Sequence, residues 1–158
     1  MLRPVLTLAA GLAASLAAAP AAHAVIQVDR GIAGARIGNT QAQVRAALGP
    51  PSRVARGTNE FGRFVVFRYE GAGIRVTFQG ARRVTTVSTT GLGDRTPRGV
   101  GVGSPEGDAD TKVSGVMCES IGGDRLCHTG DFSAGQRITV FIIRAGRVSR
   151  VDVGIVID

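Results

Sequence analysis

The chain has 158 residues, 44% of them hydrophobic, and a formal charge of +7, one unit of it from Arg3 in a segment read below as a leader. This length excludes a chain too small to bury a core: it is ample for one domain, or about the size of two very small units side by side. Lys112 is the only lysine, so arginine carries nearly all the positive charge, which supports solubility and affinity for polyanions without specifying a partner.

The N-terminus has the three parts of a secretory signal. Arg3 is the basic start, Val5 to Ala19 is apolar except for Thr7 and Ser15, and Pro20 precedes Ala22-His23-Ala24. This predicts a signal peptide over residues 1–24, cleaved after Ala24. Spanning a bilayer takes roughly 20 apolar residues, so no transmembrane span is expected after cleavage; an uncleaved anchor is the alternative. No cysteine lies near the cleavage point, so no lipid attachment is expected. Export places the mature chain in the secreted, periplasmic or cell-envelope space, where Cys118 and Cys127 read as a disulfide.

Gly34 to Gly38 leads into the first helix signal, where Thr40 and Gln43 form a capping-box pair and Val44, Ala47 and Leu48 share a face. Gly49 and Pro50-Pro51 stop the helix, placing it at about residues 40 to 48. Ser52 to Arg56 is a weak strand signal and Arg63 to Glu70 a stronger one. Ile74, Val76 and Phe78 alternate with Arg75, Thr77 and Gln79, the pattern of a strand with one wet face. Arg83 to Thr90 is rich in β-branched residues. Gly91 to Arg98 reads as a linker. Gly99 to Gly103 follows, with Ser104 as a helix cap and Pro105 at the first helical position of a poor helix. Val116 to Ser120 and Asp124 to His128 flank Gly122-Gly123 as a hairpin. Ile138, Val140 and Ile142 form a third strand, and Arg147 to Ile157 a fourth.

The order repeats. Ile74, Val76, Phe78, Val84 and Val87 match Ile138, Val140, Ile142, Val148 and Val151, each 64 positions on, and the glycine heads are 65 apart. The expected fold class is α+β: two tandem repeats, residues 34–90 and 99–158 around a linker at 91–98, each a short helix packed on an antiparallel meander of about four strands. Val84 and Val87, like Val148 and Val151, are three apart; a β-bulge in each copy explains this, as does a loss of phase at the strand start.

The head Gly-x-x-Ile-Gly-x-Thr (Gly34 to Thr40), with a short helix ending in Leu48-Gly-Pro-Pro, resembles the SmpA/OmlA domain, the fold of the outer-membrane assembly lipoprotein BamE. Two such copies with a cysteine pair resemble the β-lactamase-inhibitory proteins. The resemblance covers residues 34 to 158 and implies either a binding module acting through a sheet face or an envelope assembly factor. The lipid-bearing cysteine of BamE is absent, and only the second repeat holds cysteines.

Candidate chemistry is sparse. With Gly122 and Gly123 as the turn, Ile121 faces Asp124 and Cys118 faces Cys127 in a non-hydrogen-bonded pair, Cα atoms about 4.5 Å apart, within a disulfide's range. Cys118, Cys127 and His128 have the atom types of a zinc site but lack its spacing and a fourth ligand. Gly99-Val-Gly-Val-Gly-Ser lacks the lysine of a phosphate loop, and its counterpart at Gly34 makes it a structural turn, so no nucleotide is expected. His128 is the only histidine after the leader, no Gly-x-Ser-x-Gly occurs, and the neighbouring carboxylates Asp108 with Asp110 and Glu60 with Glu70 fall in solvated loops. The chain therefore reads as non-enzymatic, with no cofactor and no metal. Arg82, Arg83, Arg144 and Arg147 are candidates for a polyanion, or for edge protection; no aromatic lies between residues 142 and 158 to stack on bases, which disfavours nucleic acid. Arg68, Arg75 and Arg150, on strands, are the candidates for engaging a protein or envelope component.

Overall fold

The computed structural model describes residues 25–157; the expected signal peptide, residues 1–24, lies outside them. Strands β1 (Ile26–Gln27), β2 (Gly31–Ile32) and β3 (Ala35–Arg36) lead to helix α1 (Gln41–Leu48). The capping box forms: Thr40 Oγ1 accepts from the Gln43 backbone and Gln43 Oε1 from the Thr40 backbone. Gly49 ends the helix at φ 78, a conformation glycine reaches without strain. Then come β4 (Arg53–Asn59), β5 (Gly62–Tyr69), β6 (Ile74–Gln79) and β7 (Thr86–Thr89), followed by α2 (Glu106–Lys112), β8 (Val116–Ile121), β9 (Asp124–Thr129), β10 (Arg137–Arg144) and β11 (Arg147–Ile155).

The pairing overturns the expected fold class. The chain is mainly β, and β4 to β11 form a single eight-stranded antiparallel sheet in the order β4-β5-β6-β7-β11-β10-β9-β8, not two tandem helix-plus-meander units. The join is β7 against β11, with Val87 opposite Val153 and Thr89 opposite Val151. As separate units, each meander would leave its last strand as an open edge with unpaired backbone groups. Pairing those two edges satisfies both and merges the apolar faces into one core.

One face of this sheet carries that core. Phe67, Val76, Phe78, Val87, Phe141, Val151 and Val153 are buried on it. Val44 of α1 is buried over the first half, where the Arg45 guanidinium stacks 4.3 Å from the Phe67 ring and the Tyr69 hydroxyl donates to the Gly49 carbonyl. Burial pushes the Tyr69 phenol above its ordinary value, against the pull of Arg45. Helix α2 packs on β8 and β9, and β2 packs on β7 and β11.

The three-stranded sheet β1-β2-β3 lies outside the sequence reading, because two-residue strands carry no periodicity. Asp29 pins it to the main sheet: its backbone N–H donates to Thr139 Oγ1 (2.7 Å), and its carboxylate accepts from the Thr129 and Thr139 hydroxyls (2.5 and 2.9 Å). The stretch expected as a linker is packed. Asp94 and Thr96 are buried, and Arg95 donates to the Val102 carbonyl and to Ser104 Oγ. Ser104 is thereby engaged away from α2, whose N-cap position falls to Pro105 with no side-chain cap.

A second correction concerns β10. Phe141 and Ile143 face the core, opposite Val151 and Val148, while Ile138, Val140 and Ile142 take the other face. The true partner of Val76 is therefore Phe141, since both stand opposite the buried valine of the next strand. A one-residue slip exchanges the two faces of a strand, and the run Ile138 to Ile143 is apolar at both parities, so alternation could not choose. The spacing of Val148 and Val151 is a bulge: Ser149 is skipped between the pairs Ile142–Arg150 and Ile143–Val148, and both valines are buried.

Candidate functional site

Among the described residues no helix packs on the face of the eight-stranded sheet away from the core, and that face divides into two halves. Across β4, β5 and β6, Arg53 stands opposite Arg68 and Arg68 opposite Arg75; the row continues to Ser88 on β7 and Asp152 on β11. Three arginines in consecutive cross-strand positions place like charges where opposite charges normally stabilise a sheet. Acidic compensation is thin. Glu70 is 4.0 Å from Arg53, and Asp152 is held by Arg150, whose Nε and guanidinium nitrogen lie 2.8–3.0 Å from its carboxylate. Among the described residues no carboxylate pairs with Arg68 or Arg75, and Arg68 Nε is buried without an acceptor.

These side chains surround a depression of about 330 Å³ lined by Arg68, Arg75 and Arg150, with Ser88, Thr90 and Glu70. The strand arginines singled out in the sequence are thus brought together at one place, where the first-half strands meet β11.

The other half of the open face is apolar. Met117 and Ile121 of β8 are 58% and 41% exposed with Glu119 between them, and half-buried Val140 and Ile142 with buried Leu126 and Ile138 lie between them and the arginines. Phe132, 44% exposed, stacks on the His128 ring at 4.7 Å. His128 is itself buried, its Nδ1 2.9 Å from the Gly130 carbonyl and its Nε2 2.8 Å from Glu119. The 64-residue match hides this apolar half, because it pairs Ile138, Val140 and Ile142 with Ile74, Val76 and Phe78, which face the core.

The turn arginines do not form one patch. The Arg83 guanidinium donates to the Gly38 carbonyl and that of Arg147 to the Gly103 carbonyl, both at 2.9 Å, so each ties a glycine head to the turn beside it. Arg144 pairs with Asp124 at 2.8 Å, and Arg82 is exposed. The Arg82–Arg83 turn sits beside the end of β11 and Arg144–Arg147 at its start, roughly 25–30 Å apart along a strand of that length.

Cys118 and Cys127 are opposite each other in the register read from the Gly122-Gly123 turn, and are disulfide-bonded with Cα atoms 3.9 Å apart. The bond lies on the core side beneath α2, near Glu106. Strand alternation places His128 on the opposite face, so the three candidate zinc ligands are not assembled. Asp108 is engaged by Lys112 at 2.9 Å.

No protein-family model matches the chain, and no curated protein matches it in sequence. Two solved structures overlap it. An extracellular protein containing an SCP domain from Bacillus anthracis gives a TM-score of 0.49 at 14% identity, over 75% of this chain; the chain spans only 43% of that one. The uncharacterised protein YfeY from Escherichia coli gives 0.49 at 14% identity, over 80% of this chain and 97% of that one. Overlaps of that quality carry no functional implication.

Proposed function

We propose that the chain is an exported, non-enzymatic binding module that engages a macromolecular partner through the open face of its eight-stranded sheet. The observation that supports this is the division of that face into an arginine ladder with thin acidic compensation and a largely apolar band. Arginine and methionine are among the types enriched where proteins meet their partners. A surface running across eight strands suits a macromolecule better than a small ligand held in a deep pocket. The Cys118–Cys127 bond accords with an oxidising compartment, and among the described residues no helix is long and apolar enough to cross a membrane.

The test is charge reversal. The mature chain and its Arg68→Glu, Arg75→Glu and Arg150→Glu variants are immobilised and exposed to envelope and secretome extracts. Each reversal is expected to weaken capture of the partner and leave the thermal midpoint nearly unchanged. Capture that survives all three reversals, or turnover of a substrate by the purified protein, overturns the reading.

A further inference from the structure

Taking the open face as the binding face, we propose that the depression between Arg68, Arg75 and Arg150 receives a phosphate monoester carried on a small polyol.

Charge gives the first argument. Arg150 is neutralised by Asp152, which leaves Arg68 and Arg75 as two positive charges without a carboxylate partner. A phosphate monoester carries about −1.5 to −2 charge near neutral pH and matches that pair; a single carboxylate leaves half of it uncompensated.

Donor geometry gives the second. A guanidinium offers its N–H groups as a planar fork that grips two oxygens of one anion. Arg68 and Arg75 stand directly opposite each other on neighbouring strands, about 4.8 Å apart, so both forks border the same depression. A carboxylate presents two oxygens in one plane and satisfies one fork. A phosphate presents three terminal oxygens in different directions and accepts from both, with a further place for the Ser88 hydroxyl that lines the same depression. Arg68 Nε, a donor buried without an acceptor, is the group such an oxygen would complete.

The remaining lining sets what the phosphate is attached to. The depression, about 330 Å³, leaves room beyond the anion for several further heavy atoms. Glu70 stands on its wall with its charge balanced by Arg53 at 4.0 Å, and accepts hydrogen bonds only, so it favours a neighbouring hydroxyl over a second anionic group. That selects a phosphorylated polyol over a continuous polyanion.

The experiment is calorimetric titration of the mature chain with inorganic phosphate and with glycerol 3-phosphate at constant ionic strength, with acetate as the planar control. Both phosphates are expected to bind saturably at one site. Arg68→Gln and Arg75→Gln each weaken them by at least about tenfold, while Arg82→Gln, in a remote turn, leaves them unchanged. Circular dichroism and the thermal midpoint verify folding; Arg75 is exposed, so its variant keeps the test valid if Arg68→Gln is unstable. Vesicles of phosphatidylcholine with or without phosphatidic acid separate the sources. Arginine-dependent co-sedimentation with phosphatidic acid assigns a lipid headgroup; its absence, with phosphate binding retained, assigns a soluble phosphorylated polyol. No saturable phosphate binding, equal binding by the glutamine variants, or acetate binding as tightly as phosphate overturns the proposal. If charge reversal abolishes partner capture while phosphate fails to bind, the open face remains the binding face and only the phosphate assignment falls.

Discussion

At Asp94 a single side chain ties the segment after β7 to the sheet. Its carboxylate accepts from the Thr89 hydroxyl, and its own carbonyl lies where a Cβ on residue 101 would stand, 2.0 Å away, so Gly101 admits no side chain without backbone movement. Asp94 is 6% exposed. Burial raises its carboxyl above the ordinary 3.8, opposed by the Thr89 hydrogen bond and then by the Arg95 charge. The folded state therefore holds this proton more tightly than the unfolded chain. The associated stability is fully present below 3.8 and is lost as pH rises through the raised folded value. Asparagine keeps an oxygen for Thr89 and has no charge to desolvate. Asp94→Asn is expected to gain stability relative to the parent between acid and neutral pH, with the pH slope from this site removed; urea unfolding across that range measures it. An unchanged difference at both ends would show that Asp94 is not the titrating group. At this scale the sequence was legible where chemistry is local: the Thr40–Gln43 cap and the Cys118–Cys127 pair follow from short spacings. Asp29 was not legible, because its partners Thr129 and Thr139 lie 100 and 110 residues away, and the Thr89–Asp94 pair, though only five apart, belongs to no capping or turn motif that marks it.

Among the elements, β10 separates what alternation can tell from what it cannot. The meander strands were readable because β6 places polar Arg75, Thr77 and Gln79 against apolar Ile74, Val76 and Phe78. In β10 both parities are apolar, and the 64-residue match chose the wrong one. The glycine heads, 65 apart, carry the offset that also holds for Val76 and Phe141; it shortens to 64 only past the turn, where Arg82 and Arg83 are answered by Arg147 alone. Substitution tests the assignment. Phe141 is fully buried in the core, whereas Val140 is half-buried on the open face. Phe141→Ala is expected to lower unfolding free energy by about 3–5 kcal/mol, the range for a large core truncation, and Val140→Ala by about 1 kcal/mol or less. Comparable losses in denaturant titration would contradict the facing described for β10. The same parity makes half of the open face largely apolar, so one cause, an apolar run at both parities of β10, hides both the register and that half of the face.

For the whole molecule, the decisive contact is the seam between β7 and β11. The first four strands and the last four share backbone hydrogen bonds there, with Val87 and Val153 opposite each other in the core. The N-terminal strands cross the same seam: β2 packs on both β7 and β11, and Asp29 reaches Thr129 and Thr139 in the second half. The segment between the halves is bound in as well, since Arg95 pairs with Val25 and Gly101. Separating the halves would expose two sheet edges and the apolar surface buried at the join, a penalty neither half can offset alone. The described chain should therefore unfold as one cooperative unit. Scanning calorimetry is expected to give a single transition whose van't Hoff and calorimetric enthalpies agree, and a fragment of residues 99–158, lacking β7 and the N-terminal strands, is expected to show no cooperative melt even with its disulfide intact. Two resolved transitions, or a fragment that melts cooperatively, would mean that each half holds a core of its own. Arg68 and Arg75 reach Arg150 only across this seam, so any condition that parts the halves is expected to dismantle the arginine depression at the same midpoint as the fold.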